Sequence, residues 1–372
     1  MSTQPIDILQ DSAPGLKQFR QEGCLSYLFF DRTSGEAALI DPHLDLADDY
    51  RDYIFEHQLK IKWILDTHTH ADHFSASLRV QSEFPAQIGM SEKTRSERVT
   101  RKLKGGETLP LGNLSLLVLE TPGHTPDSLC FYGSGFVFTG DTLFIGSSGR
   151  TDFPGASPQE QWKSLHDVLS ALPSATLIFP GHDYGDRVCS TIEIEKKTNP
   201  HLSSPLEAFV KMKNAESITT TASDIQERVQ YNLSANPKPF GDTVTHVGAV
   251  TACGVAPKNA EAVASMSVAK YREKIPSKPL ATASHSELFV DVREPNEFKE
   301  AHIPHTLNIP LSEIGLHLPM LKSAKKVYVS CLSGRRSLMA AKTLNHLGVT
   351  QVVNIMGGFQ SWQQSGFEVA QS

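Results

Sequence analysis

Cysteine is scarce in this chain of 372 residues, and its five cysteines form no Cys-x-x-Cys pair and no regular spacing. They stand at Cys24, Cys130, Cys189, Cys253 and Cys331. An odd and sparse set does not build a disulfide framework and is typical of a reducing compartment. The first 15 residues also lack the basic and apolar regions of a secretion signal. Both absences predict a cytoplasmic protein.

Long apolar runs and an excess of basic residues are missing as well. The longest apolar stretches, such as LSLLVLE at 114–120, are much shorter than the roughly 20 residues that a membrane-spanning helix needs. The net charge is −6, with 35 Lys and Arg against 41 Asp and Glu, and no basic stripe offers a surface for nucleic acid. We therefore expect neither a membrane span nor a nucleic-acid partner.

What the sequence does contain is an alternation of strand-like and helix-like runs. CLSYLFF at 24–30 and EAALID at 36–41 predict a hairpin, and a helix is indicated over 157–172 with Ser157 as its N-cap. Pro- and Ser-rich stretches after residue 240 indicate a connection, and the chain beyond them alternates strands and helices as in a parallel sheet. The fold class predicted is a two-domain α/β and α+β protein. The predicted division is residues 1–240, a linker at 241–280 and residues 281–372.

Residues 67–73, THTHADH, carry more metal-binding side chains than one small ion normally needs. Four more ligand-type residues stand in PGHT, GDTLF, GHD and LIDP, each on a loop that follows a strand-like run. Loops of this kind commonly carry metal and catalytic sites. The candidate metal-site residues are His68, His70, Asp72, His73, His124, Asp141, His182 and Asp41.

These motifs and their order resemble the metallo-β-lactamase superfamily over about residues 15–235. The resemblance implies an αββα sandwich with the site at one edge of two packed sheets. Two branches of the superfamily carry the same motif. In glyoxalase II-like members two zinc ions activate a water for thioester hydrolysis. That branch implies one zinc on His68, His70 and His124, the other on Asp72, His73 and His182, and Asp141 as the bridge.

In the persulfide dioxygenase branch one Fe(II) ion per chain is held by His68, His124 and Asp141. Two histidines and one carboxylate leave positions open for O₂ and a substrate. The other residues would orient the ligands without binding metal, namely His70, Asp72, His73, His182 and Asp41. The motif alone does not choose between the two branches.

The stretch GRTDF at 149–153 favours the second branch, since it resembles the persulfide dioxygenase signature. In that family the arginine of this stretch and the tyrosine of HDY help to bind glutathione, which implies such a role for Arg150 and Tyr184. A guanidinium group pairs well with a carboxylate such as those of glutathione.

A second motif, CLSGRRS at 331–337, contains a candidate nucleophile. Cys331 follows a strand-like run and precedes a helix, where main-chain N–H groups and the helix dipole favour a thiolate. The segment resembles rhodanese domains over about 282–370, and this implies an α/β domain with a parallel sheet. The Cys-x₄-Arg spacing ending at Arg336 suits sulfane sulfur, whereas related phosphatases have one residue more. The resemblance implies that Cys331 and Arg336 are catalytic, and that Arg336 and the main-chain amides of 332–337 stabilise the anionic intermediate. The other loop residues expected to bind the substrate are Leu332, Ser333, Gly334, Arg335 and Ser337.

The two resemblances together imply a persulfide dioxygenase–rhodanese fusion. The expected partners are glutathione persulfide, O₂, thiosulfate, sulfite and glutathione, and family resemblance suggests a homo-oligomer. Cys24 and Cys130 are expected in the core. The alternatives are a dinuclear zinc thioesterase fused to a sulfurtransferase, and a persulfide sensor that binds without turnover.

Overall fold

The computed structural model describes residues 14–216, 222–236, 263–275 and 287–371. These residues divide into two compact units. The larger unit takes in residues 14–184, 191–216 and 222–236, and the smaller unit takes in residues 185–190, 263–275 and 287–371. No helix in these ranges is long and apolar enough to cross a membrane.

Six strands form the first sheet of the larger unit and neighbour one another in chain order. They are β1 (Pro14–Gln21), β2 (Cys24–Asp31), β3 (Glu36–Ile40), β4 (Lys60–Leu65), β5 (Gln87–Ser91) and β6 (Arg101–Leu103). The first two pairs are antiparallel and the last three are parallel. The predicted hairpin is therefore present as β2 and β3, and Gly35 supplies the left-handed conformation, φ 72°, in its turn.

The second sheet also has six strands. They are β7 (Thr108–Leu111), β8 (Leu114–Glu120), β9 (Leu129–Gly133), β10 (Phe136–Gly140), β11 (Leu177–Pro180) and β12 (Ser190–Thr191). Their order across the sheet is β12-β11-β10-β9-β8-β7. The successive pairs β7–β8, β8–β9 and β9–β10 are antiparallel, whereas β10 and β11 are parallel.

Aromatic side chains hold the two sheets together. Tyr27 of β2 lies 5.3 Å from Phe138 and 5.6 Å from Phe179 between ring centroids, and Phe29 lies 5.6 Å from Phe138. Leu28, between the two rings in sequence, points to the opposite face and packs in the cluster under the helices. Because both faces of β2 are covered, all but one of its positions are buried.

Helices cover the outer face of each sheet. The α-helices of the larger unit are α1 (Ala47–Glu56), α2 (Ser77–Glu83), α3 (Pro158–Lys163), α4 (Ile192–Thr198), α5 (Pro200–Ser203), α6 (Leu206–Ala215) and α7 (Ala222–Leu233). Tyr50 and Ile54 of α1 pack against the first sheet. Ile192 and Phe209 pack against the second. This arrangement confirms the predicted αββα sandwich.

The helix predicted over 157–172 begins as expected, with the Ser157 side chain accepting a hydrogen bond from the N–H of Glu160. Its α-helical part ends at Lys163, however. A π-helical segment, Ser164–Val168, and a 3₁₀ segment, Leu169–Ala171, complete the run. A further 3₁₀ segment, Leu44–Leu46, precedes α1.

The smaller unit is a parallel sheet between two layers of helices. Its strands are β13 (Ser265–Ser267), β14 (Glu287–Asp291), β15 (Leu307–Asn308), β16 (Lys326–Ser330) and β17 (Val352–Met356), in the order β13-β17-β16-β14-β15. Its α-helices are α8 (Val268–Arg272), α9 (Pro295–Glu300), α10 (Leu318–Ser323), α11 (Arg335–His346) and α12 (Gly358–Gln364), and a 3₁₀ segment spans Leu311–His317. Every pair of strands is parallel.

In the central strands of the smaller unit, side chains next to each other in sequence pack into apolar clusters on opposite faces of the sheet. Val329 packs in one apolar cluster and Tyr328 in another, since successive side chains of a strand point to opposite faces. Both faces are thus buried under helices, as the predicted rhodanese α/β domain requires.

Part of the predicted linker has a defined structure. Residues 265–267 form β13, which pairs with β17, and residues 268–272 form α8. Tyr271 of α8 is buried with Trp362 in the core of the smaller unit. Residues 263–275 therefore pack with this unit instead of connecting the two, while 241–262 and 276–280 lie outside the described residues.

Candidate metal centre and cysteine loop

The ligand-type side chains of the larger unit stand just after strand ends. Asp41 follows β3, His68 follows β4, Asp141 follows β10 and His182 follows β11. The strands of each of these two pairs are parallel, so their carboxyl ends share an edge. His124 lies on the loop between β8 and β9. One edge of the sandwich thus gathers the residues that the sequence placed on separate loops.

His68, His124 and Asp141 form one buried group. Each offers a ligand atom, and these atoms all lie within 4.8 Å of one another. Nε2 of His124 is 3.5 Å from Oδ2 of Asp141. The three side chains are 2–4% exposed. They are therefore placed to bind one ion together.

A main-chain carbonyl fixes the ring of His124. Nδ1 of His124 lies 2.7 Å from the carbonyl oxygen of Arg150. A carbonyl only accepts, so Nδ1 carries the proton and donates it. Nε2 is then the unprotonated nitrogen with a lone pair for a metal.

A relay of hydrogen bonds fixes the ring of His68. Oγ1 of Thr67 donates to Oδ2 of Asp41 at 2.9 Å, and the N–H of Thr67 donates to Oδ1 at 2.7 Å. Nδ1 of His68 lies 2.9 Å from the same hydroxyl oxygen. Because the hydroxyl proton points at Asp41, Nδ1 must donate, and Nε2 of His68 again keeps the lone pair. Asp41 thus orients a candidate ligand through Thr67.

The charges of these three residues suit metal binding. Burial lowers the pKa of His68 well below its ordinary value and also lowers the pKa of His124, so both rings are neutral near pH 7. Burial acts against ionisation of Asp141, but His182 and the two other histidines lower the pKa of its carboxyl group. Two neutral imidazoles and one carboxylate are the donor set that results.

The other histidines of THTHADH lie beside this group. Nε2 of His70 is 3.2 Å from Oδ1 of Asp41 and 3.6 Å from Oδ1 of Asp66. Burial lowers the pKa of His70, but these two carboxylates more than compensate and raise it well above its ordinary value. Burial lowers the pKa of His73 to about 4, and its ring stacks on that of His43 with centroids 4.7 Å apart.

His182 bridges two carboxylates. Its Nδ1 lies 2.8 Å from Oδ1 of Asp141, and its Nε2 lies 2.8 Å from Oδ2 of Asp72. Asp72 is in this way tied to the candidate ligand Asp141 through a single ring. His70, Asp72 and His73 also form a group whose ligand atoms lie within 4.8 Å of one another.

These side chains fit a bound divalent metal ion. Nδ1 of His70 and Nδ1 of His73 are buried without a hydrogen-bond partner among the residues that the structure describes. A buried polar atom without a partner costs about 1–3 kcal/mol, which a ligand of the site would offset. The donor sets fit one ion on His68, His124 and Asp141, and the neighbouring group leaves room for a two-metal arrangement.

Cys24 belongs to this neighbourhood, although the sequence predicted it in the core. Its Sγ lies 3.4 Å from Oδ2 of Asp72, and it forms an isolated β-bridge with His182. The residue is only half-buried because it begins β2 at the edge where the metal loop lies. No local signal in the sequence distinguishes it from the buried positions that follow.

Asp127 is a second residue near the candidate ligands that the sequence did not indicate. Its carboxylate accepts from Oγ1 of Thr69 at 2.6 Å and from Oγ1 of Thr125 at 2.7 Å. It therefore joins the THTHADH loop to the loop that carries His124. The only signal for it is its position three residues after His124, just beyond the PGHT motif.

Arg150 is buried and already paired. Its Nε and Nη2 donate to the two carboxylate oxygens of Asp152 at 2.7 and 2.6 Å, and its guanidinium lies 4.7 Å from the ring centroid of Phe153. The guanidinium is thus held in one orientation. A glutathione carboxylate that binds Arg150 must share it with Asp152.

Tyr184 stacks beside His182, with ring centroids 6.2 Å apart and an angle of 16° between the planes. A Cβ atom on Gly23 would lie 2.2 Å from Cε1 of this tyrosine. Gly23 is therefore the residue that makes room for the ring. Arg150 thus contacts the candidate ligand His124 through its main chain, and Tyr184 lies beside His182.

The cysteine loop of the smaller unit lies between β16 and α11. The N–H of Gly334 donates to Sγ of Cys331 at 3.1 Å, and Oγ of Ser337 is 3.4 Å from the same sulfur. Gly334 has φ 98°, a conformation that glycine adopts without strain. Ser337 in turn donates to Oδ1 of Asn354 at 2.7 Å. The loop and the start of α11 thus surround the sulfur with polar groups.

The remaining loop residues differ in exposure. Leu332, Ser333 and Arg335 are exposed, whereas Ser337 is buried. Arg336 is paired bidentately with Glu297, with nitrogen–oxygen distances of 2.6 and 2.7 Å. Its pKa is raised, chiefly by this hydrogen bond. The guanidinium is therefore fixed near the loop by a residue of α9.

Two of the other cysteines, Cys130 and Cys189, are buried. Cys130 is buried in the core, as predicted, and burial raises the pKa of its thiol to about 12. Burial likewise raises the pKa of Cys189 to about 12. Cys253 lies outside the described residues.

Comparison with known proteins agrees with both resemblances. Residues 20–182 match the family model of the metallo-beta-lactamase superfamily, and residues 272–365 match that of the rhodanese-like domain. The chain is 34% identical over 199 residues to the mitochondrial persulfide dioxygenase ETHE1 of Bos taurus, an alignment that covers 53% of this chain and 78% of that protein.

Two further proteins are informative. The crystal structure of ETHE1 from Myxococcus xanthus superposes with a TM-score of 0.56 at 32% identity and covers 58% of this chain and 97% of that one. A probable hydroxyacylglutathione hydrolase of Schizosaccharomyces pombe is 36% identical over 165 residues, 43% of this chain and 63% of that protein. The chain belongs to the metallo-β-lactamase superfamily, in the family of the persulfide dioxygenase ETHE1, and carries a rhodanese-like domain at its C-terminal side.

Proposed function

We propose that the larger unit oxidises glutathione persulfide with O₂ at one Fe(II) ion held by His68, His124 and Asp141. The observation that carries the proposal is the pair of imidazole rings whose Nε2 atoms keep their lone pairs beside one carboxylate. Two histidines and a carboxylate are the usual donor set for non-haem iron that activates O₂. The relatives named as persulfide dioxygenases support the same reaction.

The residues of this chain supply orientation and charge. A bound Fe(II) ion would supply open positions at which O₂ and a sulfur atom can react. The carbonyl of Arg150 holds His124, and the Asp41–Thr67 relay holds His68. Nδ1 of His182 donates to Oδ1 of Asp141. The other carboxylate oxygen of Asp141, Oδ2, lies 3.5 Å from Nε2 of His124. Because these groups are fixed before substrate arrives, little reorganisation is needed during the reaction.

Glutathione persulfide is proposed as the substrate because Arg150 contacts His124 through its main chain, and Tyr184 stacks on His182, which contacts Asp141. The Arg150 guanidinium is held by Asp152 and lies 4.7 Å from the ring centroid of Phe153, and it would bind a carboxylate of the tripeptide. The overall reaction takes glutathione persulfide, O₂ and water to glutathione and sulfite. The persulfide S–S bond breaks, the outer sulfur is oxidised and O₂ is reduced.

The smaller unit is proposed to transfer sulfane sulfur through Cys331. The thiolate attacks the outer sulfur of thiosulfate, a new S–S bond forms and sulfite leaves. A glutathione thiolate then takes that sulfur, which gives glutathione persulfide and restores Cys331. The N–H of Gly334 lies 3.1 Å from Sγ and stabilises the anionic sulfur. The product of this step is the substrate of the other unit.

Oxygen uptake by the iron-loaded chain tests the proposal. We expect uptake on addition of glutathione persulfide, with one sulfite formed for each O₂ consumed. Folded, iron-loaded protein that consumes no O₂ would contradict the assignment.

A dinuclear zinc thioesterase is the second candidate. The group formed by His70, Asp72 and His73 and the likeness to a probable hydroxyacylglutathione hydrolase favour it. Two zinc ions per chain together with hydrolysis of S-lactoylglutathione would identify that activity, whereas one iron per chain would speak against it.

A further inference from the structure

We propose that Asn232 is a positioning residue for the metal-binding loop, in addition to the residues named above. It lies near the end of α7, far along the chain from THTHADH, and its side chain is 4% exposed. Its Nδ2 donates to the carbonyl oxygens of His70 and His73, both at 2.9 Å. Its Oδ1 accepts from the N–H of Ser75, also at 2.9 Å.

All the hydrogen-bonding groups of the Asn232 carboxamide thus bond to one segment, residues 70–75. An asparagine offers two N–H groups and one carbonyl oxygen, and all three contact residues 70–75. Residues 70–74 of this segment are neither helix nor strand, so their main-chain groups need partners from elsewhere. Asn232 supplies those partners and fixes the path of the loop.

The end of α7 is itself anchored. Oγ of Ser96 donates to the carbonyl oxygen of Asn232 at 2.8 Å, and the N–H of Glu97 donates to that of Leu233 at 2.8 Å. Nη2 of Arg98 bonds to the carbonyl of Tyr231. The last carbonyls of a helix have no partner within it, and residues 96–98 provide partners here. Asn232 is therefore a fixed support and not a mobile one.

The loop that Asn232 holds leads directly to a candidate ligand. Asp72 lies between the two bonded carbonyls in sequence, and His182 connects it to Asp141 at 2.8 Å on each side. A shift of the loop would move Asp72 and then the carboxylate of Asp141. This inference rests on the proposed function only in taking Asp141 as a metal ligand.

The substitution Asn232→Asp tests the role of the two donors. The side chain keeps its size and one oxygen for Ser75, but it places an oxygen opposite the carbonyls of His70 and His73. We expect the dissociation constant for Co(II), measured by chelator competition on the metal-free full chain, to rise about 10- to 100-fold. The visible spectrum of bound Co(II) should change as well. Asn232→Ala is the second variant, and Gln230→Ala, on an exposed position of the same helix, is the control.

Thermal unfolding of the metal-free proteins separates positioning from a purely structural role. If Asn232→Asp and Asn232→Ala unfold at lower temperature but bind Co(II) with unchanged affinity and spectrum, Asn232 only stabilises the fold and the proposal is wrong. No persulfide is present in these measurements. Failure of the wild-type chain to oxidise persulfide would therefore overturn the proposed function and leave this test intact.

Discussion

The main-chain oxygen of Arg150 lies 2.7 Å from Nδ1 of His124. The same residue binds Asp152 through its guanidinium. One residue of the GRTDF stretch thus orients a candidate metal ligand with its backbone. In the proposed function its guanidinium would also bind the substrate, so that substrate binding and metal-site geometry would be linked at this position.

Removal of His124 should separate the two activities. In His124→Ala one of the three proposed ligands is lost, and we expect oxygen uptake on glutathione persulfide to fall by more than about 100-fold, because loss of outer groups alone costs about 10- to 100-fold in metal sites. Sulfur transfer from thiosulfate should persist. His57→Ala, at the C-cap of α1 with its ring stacked on that of Tyr53, is the control and should retain iron. Oxygen uptake that survives in His124→Ala would exclude this residue as a ligand.

The relay from Asp41 to His68 predicts a graded series at Thr67. Thr67→Val keeps the shape but removes the hydroxyl that accepts from His68, so iron affinity should fall about 10- to 100-fold. Thr67→Ser restores the hydroxyl and should restore most of the affinity. Equal iron binding by the Val and Ser variants in a chelator titration would show that the relay is irrelevant.

Cys331→Ser should have the reverse effect of the change at His124. The serine oxygen cannot carry a sulfane sulfur, so thiosulfate sulfurtransferase activity should be abolished, while oxygen uptake on added glutathione persulfide stays close to that of the wild type. Activity is measured as sulfite released from thiosulfate. A simultaneous loss of oxygen uptake would contradict separate sites.

Glu216 predicts a pH dependence of stability in the larger unit. Its carboxylate lies 3.0 Å from Nε2 of His201 and 2.7 Å from Nζ of the buried Lys213. Burial opposes ionisation, but the hydrogen bonds from His201 and Lys213 dominate and lower the pKa from 4.5 to about 2. The unfolded chain therefore binds the proton first, so this stabilisation is complete above pH 4.5 and is lost as the pH falls toward 2.

The measurement is urea unfolding of the metal-free wild type and of Glu216→Gln at several pH values. The difference in unfolding free energy between them should be largest above pH 5 and should shrink toward pH 2. Since Glu216 is partly exposed, solvent screening keeps the difference small. A difference that is constant over this range would show that the ion pairs contribute nothing.

Some features of the fold can be predicted from the sequence because they depend on residues that are close together along the chain. The strand-like runs at 24–30 and 36–41 are joined by a short turn, and they pair as predicted. Ser157 caps a helix because its side chain accepts a hydrogen bond from the N–H of Glu160, three residues away. The strand and helix at residues 265–272 could not be predicted in this way, because β13 is only three residues long and its partner β17 lies almost 90 residues later.

The sequence by itself determined the residue types and their spacing, and with them the two families and the list of possible ligands. Tertiary structure decided which ring nitrogen of His68 and His124 keeps its lone pair, because Asp41, which orients the hydroxyl of Thr67, and the carbonyl of Arg150 lie on other loops than the histidines they fix. It also brought Cys24 beside Asp72 and Asn232 under the metal loop. Hydrogen bonds between residues tens to more than a hundred positions apart exist only once the sheets have packed, and no local pattern encodes them.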